Sequence, residues 1–104
     1  MINRQRAEVK IIDFGLSKGV VEVDTDYVAT RWYRAPENLL NTKQYTTAID
    51  IFSLGCLVME LFLGTPLFPG ANNLDQISKI VSLLGLPTNA SWRKGHFQCV
   101  KLGL

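Results

Sequence analysis

The stretch from Ile49 to Leu63 is apolar nearly all round, with Asp50 and Glu60 as its only charges. It is shorter than the ~20 residues that a membrane span needs. A buried helix is the expected form. A helix that is apolar on every side sits in the middle of a large core. The chain has 104 residues, enough for one small domain at most. Little else is present to cover such a helix. The sequence therefore reads as a piece of something larger, and poor solubility is expected of it alone.

Composition excludes several classes. At 47% hydrophobic and 19% charged residues, the chain is neither a disordered tail nor a fibre. Its formal net charge is +2, with Lys and Arg scattered. Neither a nucleic acid nor an anionic membrane is expected as a partner. Two cysteines, Cys56 and Cys99, cannot build a disulfide framework or a zinc site. Reduced thiols are the default, which places the chain in the cytoplasm or the nucleus. Met1-Ile2-Asn3-Arg4-Gln5-Arg6 does not open a signal peptide.

Local signals order the chain. Val9–Ile12 reads as a short strand ended by Asp13-Phe14-Gly15. Leu16–Arg34 has no sustained period and reads as a long functional loop. Ala35-Pro36-Glu37 restarts helical structure, because Pro is tolerated in a first turn. Thr46 or Thr47 can cap the apolar helix, and Gly64-Thr65-Pro66 stops it. Leu67-Phe68-Pro69-Gly70 forms a turn. Asn72 or Asn73 can cap a further helix whose stripe is Leu74, Ile77, Ile80, Val81 and Leu84, closed by Gly85-Leu86-Pro87. Lone His96 and tail Cys99 carry no assignment, and Cys56 reads as a small core residue.

Asp13-Phe14-Gly15 after a strand and Ala35-Pro36-Glu37 after a loop are two members of the protein-kinase signature set. Each tripeptide is weak alone. In this order, around a phosphorylatable loop, they are specific. With Thr25-Asp26-Tyr27-Val28-Ala29-Thr30-Arg31-Trp32-Tyr33-Arg34 between them, the sequence resembles a eukaryotic protein kinase of the MAP kinase or MAK-like type, in the CMGC group. Asp50-Ile51-Phe52-Ser53-Leu54-Gly55-Cys56 and Gly64–Gly70 fit the same group. Phe52 stands where the family usually has tryptophan, and Ser17 also departs from the commonest pattern.

The resemblance implies roles. Asp13 would hold the Mg²⁺ that bridges the ATP phosphates, although an Asp opening a turn before a Gly is common for structural reasons alone. Gly15 supplies the backbone freedom that a switching loop needs, and Phe14 is a structural residue of the same motif. Thr25 and Tyr27 match the dual phosphorylation sites, or are ordinary loop residues. Arg31 and Arg34 would grip the Tyr27 phosphate with forked hydrogen bonds. Val28, Ala29, Thr30 and Arg31 resemble the loop that receives the residue after the phosphorylated Ser or Thr, and proline suits it because it has no N–H to leave unpaired. Thr30 also matches the threonine that marks Ser/Thr kinases. Trp32 and Tyr33 read as packing residues. Glu37 matches a glutamate that pairs with a distant arginine, for which Arg93 is an unconvincing substitute. Asp50 matches the aspartate that holds the catalytic-loop backbone, and it also suits a helix N-terminus.

The implied fold is mainly α. It comprises part of the kinase C-terminal lobe over residues 1–88, with a small β remnant at the start. The activation segment covers 13–37, the central buried helix about 47–63 and the next helix about 73–84. Residues 89–104 match no kinase element, as a misread splice junction or frameshift would produce. The Gly-rich loop, the ATP-binding lysine, the His-Arg-Asp loop with its catalytic base and the second metal-binding Asn are missing. Met1 is therefore expected to be an internal methionine, and the chain alone inactive. The parent would be a proline-directed Ser/Thr kinase using ATP and Mg²⁺, with protein substrates carrying Ser/Thr-Pro and an upstream activating kinase. The alternatives are a non-catalytic binding or decoy module, and a pseudogene product.

Overall fold

The computed structural model describes residues 1–19, 30–40 and 46–86. Thr25, Tyr27, Val28, Ala29, Arg93, His96 and Cys99 lie outside the described residues. The chain opens with an antiparallel hairpin of β1 (Ile2–Asn3) and β2 (Glu8–Val9), with Ile2 opposite Val9. The Asn3 side chain turns it, its Oδ1 accepting the N–H groups of Gln5 (3.1 Å) and Arg6 (3.3 Å). Such a side-chain-to-backbone turn is what Asn supplies. The strand expected over Val9–Ile12 is corrected here. Lys10 still bonds Met1 through both backbone groups, but among the described residues Ile11 and Ile12 find no strand opposite, and both are exposed.

A 3₁₀ turn, Arg31–Tyr33, leads into α1 (Pro36–Leu39), with Pro36 at its first position. The apolar stretch forms α2 (Ala48–Leu63). Thr46 Oγ1 accepts the Ala48 N–H at 3.2 Å. Gly64 ends the helix at φ 75°, a left-handed conformation that suits glycine. α3 spans Asn73–Leu84. Its cap is Asn72, whose Oδ1 accepts the Asp75 N–H at 2.9 Å.

The core lies between α1, α3 and one side of α2. Leu39, Leu40, Cys56, Phe68, Ile77 and Ile80 are buried, with Tyr33, Phe52, Leu67 and Val81 packed against them. The Phe52 and Phe68 rings stack with centroids 6.2 Å apart. Two expectations fail. Leu74 and Leu84, at the ends of the α3 stripe, are exposed. α2 is not a buried helix: Cys56 is its one buried residue, while Leu61 and Phe62 are more than four-fifths exposed. The elements packed on it reach one side only, so its remaining apolar surface stays bare. Among the described residues the fold is mainly α with a single two-stranded sheet, as the resemblance implies. Among the described residues, no helix is long and apolar enough to cross a membrane.

Candidate activation segment and substrate face

Asp13 follows the hairpin with φ 63°, a left-handed conformation that non-glycine residues rarely adopt. Its Oδ1 accepts the Gly15 N–H at 3.2 Å, and the Ser17 N–H and hydroxyl both donate to the Phe14 carbonyl. These bonds hold a tight Asp-Phe-Gly turn. The Asp13 carboxylate and the Phe14 ring both face solvent. Asp13 fits one carboxylate ligand of a Mg²⁺ site, since Mg²⁺ is held by one or two carboxylates plus phosphate oxygens. Among the described residues, no group of three or more His, Cys, Asp or Glu side chains gathers around a metal position. Asp13, Glu37 and Asp50 are therefore not assembled into one centre.

The second half of the segment is tied firmly to the helices. Tyr33 donates its hydroxyl proton to Glu60 Oε2 at 2.6 Å. The Ser53 hydroxyl, also within reach of Ile49 O, lies 2.7 Å from the Tyr33 carbonyl. Both bonds pin the 3₁₀ turn to α2. The bond to Glu60 holds the Tyr33 hydroxyl above its usual pKa, with burial and the Glu60 charge adding to it. Burial likewise raises the Cys56 thiol, as befits a packed core cysteine.

Arg31 and Arg34 sit in the same turn, the Arg34 N–H bonding the Arg31 carbonyl at 3.1 Å. Arg31 Nη1 donates to Ala71 O at 3.0 Å, while its buried Nε has no hydrogen-bond partner. Thr30 precedes the turn and is exposed, Glu37 lies half-buried in the first turn of α1, and Asp50 is exposed in the first turn of α2. The structure thus brings Thr30, Arg31, Arg34 and Glu37 onto one short stretch, with Asp13 on the hairpin exit.

Sequence reasoning missed Ser53, Glu60, Gly70 and Gln76. Gln76 is the one buried polar side chain among the described residues. A polar residue beside Ile77 within an apolar stripe was the available signal.

The protein kinase domain model matches residues 1–97, past Pro87 where the motif resemblance fades. The chain belongs to the protein kinase family. Its relatives are MAP kinase-like. A mitogen-activated protein kinase of Caenorhabditis elegans, pmk-2, is 51% identical over 85 residues, covering 82% of this chain and 20% of the relative. Mitogen-activated protein kinase 3 of Arabidopsis thaliana is 52% identical over 96 residues, 90% of this chain and 26% of the relative. Serine/threonine-protein kinase ICK of Mus musculus is 48% identical over 90 residues, 85% of this chain and 14% of the relative. The kinase segment seen here thus spans about a quarter or less of the length of these relatives.

Proposed function

We propose that this chain is the activation segment and adjoining helical part of a proline-directed Ser/Thr protein kinase of the MAP kinase type. The observation that carries this reading is the ordered pair of turns. Asp13-Phe14-Gly15 closes one end of the segment, and the turn holding Arg31 and Arg34 enters α1 at Pro36 at the other. ATP with Mg²⁺ would supply the phosphoryl group and neutralise its charge. Asp13 offers a hard oxygen ligand on an exposed turn. Thr25 and Tyr27 are the sites an upstream kinase would phosphorylate. Arg31 and Arg34, in one turn that follows Tyr27 in the sequence, are suited to receive a dianionic phosphate. Val28–Arg31 would accept the residue after the target Ser or Thr. The isolated chain is inactive, because it carries no catalytic base, Gly-rich loop or ATP-binding lysine.

The test is phosphorylation of the complete polypeptide that carries this segment by an upstream dual-specificity kinase. Mass spectrometry is expected to find phosphate on both Thr25 and Tyr27. Ser/Thr-Pro peptides then become substrates. Preference for another residue in place of proline would contradict the reading.

A further inference from the structure

Gln76 lies on α3, more than forty residues from the turn that leads out of the activation segment, yet it touches that turn. Its side chain is fully buried. Its Oε1 accepts the Gly70 N–H at 2.9 Å, and its Nε2 donates to the Trp32 carbonyl at 3.4 Å. The Trp32 indole Nε1 donates to the Gly70 carbonyl at 3.0 Å. The three residues close a ring of hydrogen bonds. Both backbone groups of Gly70 are used in it. Beside it, Arg31 Nη1 reaches Ala71 O at 3.0 Å, and the Ala71 N–H is fixed by Asp75 Oδ2 at 2.8 Å.

Glycine is required at the centre. A Cβ at position 70 would come within 2.7 Å of the Gln76 backbone Cα, a closeness that only a residue without a side chain tolerates. A buried amide with both ends bonded fixes its partners, because leaving either bond unmade in a desolvated site costs the full desolvation of that group. The position of Arg31 and Trp32 is thereby set from α3 and the Gly70 turn as well as from α2.

We infer that Gln76 is a positioning residue for substrate recognition, holding Trp32 and with it the adjoining Thr30 and Arg31, to which the proposed function gives contact with the residue after the target Ser or Thr. This rests on the proposed kinase function. The Gln76 side chain is fully buried and spends its amide on Gly70 and Trp32, so its removal is expected to affect peptide recognition and to spare nucleotide binding.

The test uses the complete kinase polypeptide carrying this segment, as native protein and as Gln76→Met, Trp32→Phe and Ser82→Ala. Met keeps the side chain's length and lacks both hydrogen-bonding groups. Phe removes the indole donor from the other side of the ring. The Ser82 hydroxyl donates within α3, to Ser78 O, and serves as the control. For Gln76→Met the KM for a Ser-Pro peptide is expected to rise about tenfold, the scale of one buried hydrogen-bonding partner left unmade. Preference for Pro over Ala at the following position falls in parallel, and the KM for ATP stays at the native value. Trp32→Phe shifts the same two quantities in the same direction, and Ser82→Ala shifts neither. Should Gln76→Met fail to fold, Trp32→Phe decides alone. Unmoved peptide KM and unmoved proline preference in the folded variants would overturn the inference while the kinase reading stands. A native polypeptide without phosphotransfer would overturn both.

Discussion

At the scale of single residues, the segment is held by a few polar contacts that link distant parts of the chain. Asp75 is the clearest titrating member. Its carboxylate accepts the Ala71 N–H and faces Lys79, whose Nζ lies 3.5 Å from Oδ1. The backbone N–H, then the Lys79 charge, hold Asp75 below the ordinary aspartate value of 3.8. A carboxyl whose pKa is depressed in the folded state stabilises that state above its unfolded value and loses this contribution as pH falls through the folded value. Thermal melting of native protein and Asp75→Asn, followed downward through pH 3.8, should show the native protein losing more of its stability. Parallel curves would contradict the assignment. Because more than a third of the Asp75 side chain meets solvent, the difference is small. Neither this contact nor the Gln76 ring was legible in the sequence. Gln76 pairs with Trp32 across 44 positions, and hydrophobic periodicity carries no information about a partner so far away.

At the scale of elements, boundaries were legible where a cap or a glycine marks them. Asn72, Gly64 and Gly85 bound α2 and α3 as their chemistry demands, and α3 runs over Asn73–Leu84 as the stripe suggests. The strand at Val9 was read too long, because β-branched residues signal strand whether or not a pairing strand exists. The α2 stretch was read as a helix correctly and as buried incorrectly. Side-chain character reports what a helix can bury, not whether covering elements are present. Asn72→Ala removes the side-chain acceptor for the Asp75 N–H, and should destabilise the chain by about 0.5–2 kcal/mol. Thermal or urea unfolding checks this. An unchanged midpoint would show that the cap contributes nothing.

At the scale of the whole molecule, the balance of buried and bare surface dominates. The buried core is a short cluster around Cys56, Phe68, Ile77 and Ile80, whereas Ile51, Leu54, Leu61, Phe62 and Leu63 all stand more than half exposed along α2. Apolar surface of that kind drives association in water. Replacing Ile51, Leu61 and Phe62 together by Lys or Glu should raise the solubility of the 104-residue chain without disturbing the core, since all three are exposed. Sedimentation velocity is expected to move from aggregates toward monomer, and unchanged aggregation would contradict the role given to α2. The same imbalance fits a segment covering about a quarter or less of its kinase relatives. On the proposed function, Asp13 and the segment it opens serve phosphotransfer within a larger kinase. The most direct measurement is transfer of labelled γ-phosphate from ATP to a Ser-Pro peptide by the complete polypeptide, native against Asp13→Ala, each shown to be folded. The expected result is transfer by the native protein and background counts for Asp13→Ala, whereas equal transfer by the two proteins, or none by either, would contradict the claim.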